Sequence, residues 1–250
     1  MKHLQLNIPK SWSDIKVYQY QDMLSNDLNG IGTFEKYIEY LSIITETDSE
    51  DWEDMDLDEV LEIIKSIEWL KTSPSTNFKT KIEGLSLIDF NKLELGAYID
   101  IEYFKKDLFK NFHLILAILY RKTKENEWGE IIYEPYDYDI NNRSELFLDI
   151  SINDVYGLIN HYHNFYENFI NNYSTLFNQD VPEDELDPVD ELTEEDKKEL
   201  KKEQERAKWA WEILIHNLSE KDITKYDEIL KLNLIFVFNH LSFKKIFNLD

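Results

Sequence analysis

The stretch that decides the fold is 111-NFHLILAILYRK-122, which contains the long apolar patch Leu114–Tyr120. Its apolar residues fall on nearly all sides of a helical wheel. A helix of this kind is stable only when other elements cover it, so the stretch predicts the central buried helix of the protein. The apolar patch is far shorter than the 18 or so residues that span a bilayer, and no membrane span is expected.

Amphipathic patterns lie on both sides of this segment. Helical stripes begin near Val17, Phe34 and Leu57 before it, and near Val155 and Trp209 after it. Ser-x-x-Asp capping patterns stand at the starts of two of these helices, Ser11/Asp14 and Ser151/Asp154. The pattern predicts a mainly α fold, an irregular helical bundle.

One short region follows the period of a strand instead of a helix. Phe78, Thr80 and Ile82 alternate with charged residues, and Gly84 then allows a tight turn before Leu85–Leu87. We therefore predict that the bundle can include a small β-hairpin at this point.

Charge divides the chain along its length. There are 250 residues, with 51 Asp and Glu against 27 Lys and Arg, which gives a net charge of −24. Most of the excess lies in residues 46–62 and 180–205, and the second window begins in a Pro-containing, acidic stretch. We predict a helical body at 1–177, an acidic linker at 178–192 and a C-terminal helical unit at 193–250.

Composition excludes several classes of function. The acidic balance disfavours direct contact with nucleic acid or an anionic membrane, because both carry the same sign of charge. The chain contains no Cys, which excludes disulfides and thiolate chemistry. No apolar signal sequence stands at residues 1–10, so we expect a soluble protein of a reducing cytoplasm.

Catalytic and metal-binding patterns are incomplete. His161 and His163 are two apart, which places them on opposite faces of a helix. The EF-hand-like spacings Asp54/Asp56/Asp58 and Asp137/Asp139/Asn141 lack the closing Glu. No Gly-x-Ser-x-Gly or phosphate-binding loop is present. We predict no enzyme activity, no metal and no cofactor; a hydrolase would require two carboxylates converging in an apolar pocket.

Aromatic residues outside regular helix give the strongest indication of a binding site. The stretch 127–139 is expected to be irregular or extended. The candidate partner-binding residues are Trp128, Tyr133, Tyr136 and Tyr138, with Trp209 and Trp211 further on. Tyr and Trp are enriched at interface hot spots. The equal alternative for the first group is that it covers the central helix. Trp209 and Trp211, two apart on a helix, cannot both face one core.

Three segments stand out together: the opening Asn7–Gln21, the segment Leu95–Glu102 and the helix end Leu119–Arg121. They resemble structural or assembly proteins of tailed phages, notably phages of Bacteroidetes including the crAss-like group. Near the C-terminus, Trp209-Ala210-Trp211 and Lys221-Asp222-Ile223 resemble a Trp-Gly-Trp … Gly-Asp-Ile pattern before a short helix pair of tail-assembly chaperones. Ala210 and Lys221 stand where that pattern has Gly.

The resemblance implies a non-enzymatic protein of virion morphogenesis that acts through protein–protein contacts in the tail or neck, as a structural component or a tail-assembly chaperone. Its implied partners are other phage structural proteins of the tail, neck or portal. Association with further copies of the same chain, as a homo-oligomer, is a second possibility. It would reside in the host cytoplasm during assembly, with incorporation into the virion left open. The alternative function is an acidic inhibitor that mimics nucleic acid and blocks a host DNA-binding enzyme.

Overall fold

The computed structural model describes residues 7–25, 32–137, 140–177 and 208–249, and these are mostly helical. The prediction of a mainly α fold with a small β-hairpin is confirmed. The helices are α1 (Val17–Ser25), α2 (Thr33–Thr45), α3 (Ser49–Glu53), α4 (Leu57–Ser66), α5 (Leu95–Phe104), α6 (Leu108–Leu119), α7 (Asn141–Leu148), α8 (Gly157–Asn172), α9 (Ser174–Phe177), α10 (Ala210–Leu218), α11 (Tyr226–Leu230) and α12 (Leu234–Phe247).

Two small antiparallel sheets accompany the helices. The strands are β1 (Lys81–Ile82), β2 (Leu85–Leu87), β3 (Tyr120–Arg121), β4 (Thr123–Glu125) and β5 (Ile131–Tyr133). The first sheet has the order β1-β2-β3, and the second pairs β4 with β5. Glu83 and Gly84 both have positive φ, +47° and +78°, which is the geometry of a two-residue hairpin turn. The hairpin predicted around Gly84 is therefore present, and β3 extends it by one strand.

Two compact units divide the chain. The first contains residues 1–88 and 101–165, and the second contains residues 89–100 and 166–250. The second unit thus draws two segments from the region predicted as a single body. The predicted linker at 178–192 lies outside the described residues, and the predicted division at that point stays a prediction.

The first unit is built around α6. Ile115–Leu119 are all buried in this helix, and α1 and α7 contact it. The predicted central helix, residues 111–122, is therefore right in kind but displaced: α6 starts at Leu108 and ends at Leu119. Tyr120 and Arg121 leave the helix and form β3 against β2. The helix stops there because Tyr120 adopts an extended conformation, with φ −98° and ψ 121°.

An aromatic cluster forms the core of the second unit. Phe238 of α12 lies 4.8 Å from Phe169, 5.4 Å from Tyr173 and 6.4 Å from Tyr98, measured between ring centroids. Backbone hydrogen bonds tie α12 to the strand-like segment before α5: the N–H of Leu234 donates to the carbonyl of Leu93 at 2.8 Å. Aromatic pairs at these separations add to the stabilisation from area burial.

The capping patterns are real, but they begin single 3-10 turns. Ser11 and Asp14 make a reciprocal capping box on the turn Trp12–Asp14, and Ser151 caps the turn Ile152–Asp154. The α-helices that the patterns were expected to start, α1 and α8, follow these turns. Within the described part of the chain, no helix is long and apolar enough to cross a bilayer.

Candidate partner-binding hairpin

The β4–β5 hairpin of the first unit presents Trp128 at its tip. Trp128 is 82% exposed, more than any other large apolar side chain among the described residues. The hairpin has a three-residue loop, 127–129, closed by the N–H of Asn126 on the carbonyl of Glu130 at 3.0 Å. Gly129 takes the left-handed position with φ +79°, as such loops require. An exposed indole at the end of a hairpin is the geometry of a binding anchor.

The side chain of Asn126 fixes the loop. Its Oδ1 accepts the N–H of Trp128 at 3.0 Å and the N–H of Glu130 at 2.8 Å, and its Nδ2 donates to the Glu130 carboxylate at 2.9 Å. The backbone of Trp128 is thus held by hydrogen bonds within the loop itself. A pre-organised anchor loses less conformational entropy on binding than one on a free loop.

The hairpin strands are exposed on both faces. Glu125 pairs with Ile131 and Lys124 pairs with Ile132. Ile131 is 51% exposed and Ile132 is 40% exposed, although consecutive strand residues point to opposite faces. A two-stranded hairpin with no covered face gains little from its own packing, so its position depends on contacts at its base.

Arg121 provides the first of these contacts. It is only 1% exposed, and its Nε donates to the carbonyl of Ile118 at 3.0 Å while Nη1 donates to the carbonyl of Glu134 at 3.3 Å. Its guanidinium also lies 5.5 Å from the centroid of the Tyr136 ring. The planar, multi-donor guanidinium suits this bridging role, because one group reaches both the end of α6 and the strand that returns from the tip.

Arg143 of α7 provides the second contact. Its Nε donates to the carbonyl of Ala117 at 2.7 Å, and its other nitrogens lie 4.0 Å from the Glu134 carboxylate and 3.7 Å from that of Asp137. The returning segment 134–137 is therefore held against α6 and α7 by two arginines. This arrangement fixes the base of the hairpin relative to the core of the first unit.

The predicted aromatic residues of the stretch 127–139 occupy different environments. Trp128 projects into solvent, and Tyr133 is half-buried on β5. Tyr136 is 2% exposed, so its ring anchors the base of the hairpin and is not free to contact a partner. Tyr138 lies outside the described residues. The aromatic residue at the tip of the segment is therefore exposed, whereas the one at its base covers the core.

The two tryptophans of the second unit also differ. Trp209 stands at the start of α10 and is 54% exposed. Trp211 is half-buried, with its ring 5.7 Å from that of Tyr98 in an edge-to-face arrangement. One of the pair packs and the other faces outward, as their spacing on a helix requires.

Sequence reasoning missed the residues that position the hairpin. The helical pattern of residues 111–122 includes Arg121. No motif in the sequence indicates a role for Arg143, Ile131 or Ile132. The two isoleucines between a Gly and a Tyr are a short β-propensity run that could have indicated a strand. Nothing local in the sequence marks Arg121 as buried.

The charged groups of the first unit are relevant to two kinds of site, a metal-binding cluster and a groove with unpaired side chains. The described residues contain no group of three or more His, Asp or Glu placed to hold a metal ion. An open groove of about 570 Å³ is lined partly by Asp14, Lys16 and Glu46. Asp14 accepts in the capping box, Lys16 pairs with Asp149 at 2.7 Å, and Glu46 accepts from Tyr18. Each of these charges is already engaged in holding the fold.

Burial shifts the pKa of several groups in the first unit, among them His113 and Tyr18. Burial lowers the pKa of His113, whose Nδ1 lies 3.2 Å from the amide nitrogen of Gln21. Burial, reinforced by Glu46, raises the pKa of Tyr18. Both shifts favour the neutral form of a group packed in the fold.

No protein-family model, curated protein or solved structure matches this chain. The resemblance to tailed-phage proteins stays a prediction that rests on the sequence.

Proposed function

We propose that this protein acts in the morphogenesis of a tailed-phage virion, without enzymatic activity, through protein–protein contacts in the tail or neck. It would be a structural component or a tail-assembly chaperone. The observation that carries the proposal is the β4–β5 hairpin, which presents Trp128 on a backbone fixed by Asn126. The sequence resemblance supplies the phage context. No helix, groove or charged cluster described above supports catalysis as directly.

The test combines co-purification with particle analysis. Tagged protein is co-expressed with the tail, neck and portal proteins of the same genome, and purified particles are analysed by mass spectrometry. We expect association with at least one of these proteins, and we expect Trp128→Ala to weaken it. Loss of a buried aromatic anchor costs about 2 kcal/mol or more at a hot spot, roughly a thirtyfold drop in affinity. Tyr103→Ala is the matched control, since it removes an exposed aromatic side chain of the same unit that is not a binding candidate.

Failure in both assays would contradict the proposal. A chain that binds none of these proteins and is absent from particles has no role in morphogenesis. Equal loss of binding in Trp128→Ala and Tyr103→Ala would show that the hairpin is not the specific contact.

The acidic inhibitor is a second candidate because part of the first acidic window is folded and exposed. Asp54, Asp56, Asp58, Glu59 and Glu62 are all exposed on or beside α3 and α4. A mimic of nucleic acid presents its carboxylates on such a folded surface. The triple variant Asp58→Asn, Glu59→Gln, Glu62→Gln leaves the Asp56 cap intact. If this variant lost binding to a host DNA-binding enzyme while Trp128→Ala kept it, the proposal of an acidic inhibitor would replace the proposal of a role in morphogenesis.

A further inference from the structure

The β4–β5 hairpin carries a groove at its base as well as an anchor at its tip. The groove, about 380 Å³, is lined by Lys122, Thr123, Lys124, Ile132, Tyr133, Glu134 and Pro135. Its apolar wall comes from Ile132, Tyr133 and Pro135. Lys122 and Lys124 are both exposed at its rim, and the one carboxylate in its lining, that of Glu134, lies 4.0 Å from Arg143. An apolar pocket bordered by ammonium groups suits an aromatic side chain that arrives with acidic neighbours.

The tip has the complementary chemistry. Glu127 directly precedes Trp128, Glu130 follows two residues later and Glu125 ends β4, and all three acids are exposed. Trp128 is 82% exposed on a backbone that Asn126 holds, so its indole does not occupy the groove of its own hairpin. The same indole on another molecule is free of that constraint.

We propose that the groove binds Trp128 of a second copy of this chain, and that two copies pair through antiparallel hairpins about a two-fold axis. This inference rests on the proposed function, because it names the partner of the same hairpin. The antiparallel arrangement places each acidic tip beside the lysines of the other base, so one orientation makes both contacts at once. Such self-complementarity defines a closed, isologous pair.

Opposing forces set the strength of this pairing. Two hairpins bury less area than the 1,200 Å² or so of a stable interface, so the contact belongs to the weak, transient class. The net charge of −24 on each copy repels at long range. Added salt screens that long-range repulsion more than the close contacts between acidic tip and lysines, and it leaves tryptophan burial intact, so pairing is expected to strengthen between low and moderate salt. Binding to a basic partner would weaken over the same range.

The absence of Cys allows a direct test by disulfide trapping. Glu127→Cys places a thiol at the tip, Lys122→Cys at the base, and Lys81→Cys at an exposed position on β1 as the control. Mixing tip and base variants under mild oxidation should give a disulfide-linked dimer, about tenfold faster than the tip and Lys81 mixture. Adding Trp128→Ala to both chains should remove most of that difference. Sedimentation velocity at up to about 0.5 mM measures the uncrosslinked pair.

Charge exchange provides an independent readout. Lys124→Glu and Glu127→Lys should each weaken pairing alone, and an equal mixture of the two should restore part of it. Restoration identifies the tip-to-base contact, since a general change in net charge would not be repaired by mixing.

Several outcomes would overturn the inference. If tip-to-base disulfides form no faster than those with the Lys81 control, the proposed tip-to-base contact is wrong. If the disulfides still form as fast after Trp128→Ala, Trp128 is not the anchor of the contact. A chain with both Glu127→Cys and Lys122→Cys that forms ladders beyond the dimer excludes the two-fold arrangement. A monomeric chain that still co-purifies with a tail, neck or portal protein overturns this inference alone. A chain that pairs but enters no assembly complex or particle overturns the proposed function instead.

Discussion

Replacing Arg121 with Met should destabilise the first unit and release the hairpin. Arg121 donates to the carbonyls of Ile118 and Glu134, and its guanidinium lies over the Tyr136 ring. Met retains an apolar side chain of similar length but leaves both carbonyls without these donors. A buried acceptor that loses its partner costs about 1–3 kcal/mol, and removing a buried charge recovers some desolvation energy. We expect the free energy of unfolding to fall by about 3 kcal/mol.

Two measurements check this value. Differential scanning calorimetry should show a melting temperature lowered by about 6–12 °C, taking 2–4 °C per kcal/mol for a chain of this size. Amide hydrogen exchange should become faster at Glu134, whose N–H donates to the carbonyl of Lys122 at 2.9 Å. Lys124→Met is the matched control, because it removes an exposed positive charge from the same hairpin. Its effect should remain within about 0.5 kcal/mol.

An unchanged or higher stability in Arg121→Met would refute the reasoning. Buried ionic groups can be replaced by apolar ones without loss in some proteins, and that result would mean that the core, not the arginine, holds the hairpin. Arg121→Lys separates charge from geometry. An ammonium keeps the charge but lacks the fork that reaches both carbonyls, so this variant should lie between Met and the native residue.

Three further predictions concern the first unit. Leu116→Ala empties a fully buried site in α6 and should cost about 2–5 kcal/mol by chemical denaturation, whereas Leu57→Ala, at a 59% exposed site, should cost far less. Gly157→Ala should destabilise more than Gly84→Ala in the same assay, although helix propensity favours Ala at 157. A Cβ there would overlap the Thr76 carbonyl, while one at Gly84 meets no atom within 4 Å. Because burial lowers the pKa of His113 below its ordinary 6.5, the unfolded chain binds that proton more readily, and stability should fall as pH drops through 6.5. The loss of melting temperature from pH 7.5 to 5.5 should be smaller in His113→Gln; an equal loss would exclude His113 as its source.

The periodic parts of the fold could be predicted from the sequence, because periodicity reports burial directly. The apolar run of α6 and the alternation before Gly84 each placed an element of the correct type. The boundaries at Leu119 and Tyr120 could not be predicted, because helix and strand compete there and pairing with Leu87 decides the outcome. That pairing joins residues far apart in sequence.

For the candidate site, the sequence predicted which aromatic residues are present but not how they are arranged. The concentration of aromatic residues after Trp128 indicated a surface of interest, but not which ring would be exposed. Tyr136 is buried with the guanidinium of Arg121 over its ring, and this contact follows from tertiary packing that no local pattern encodes. The role of residues 89–100 in the second unit was hidden for the same reason. The hydrogen bond between Leu93 and Leu234 connects two segments that are far apart in the sequence.

The direct passage from α6 into the hairpin has a mechanical consequence. A load applied to Trp128 along the strands would run through both legs of the hairpin at once. One leg leads into the C-terminus of α6, and the other leads through Pro135 and Tyr136 towards α7. Arg121 connects the two legs beside the core, at Ile118 and Glu134. Both strands would be stretched in the same direction, so the tension would neither slide one strand past the other nor open the ladder bonds one after another, and the tip would bear load without detaching from the core.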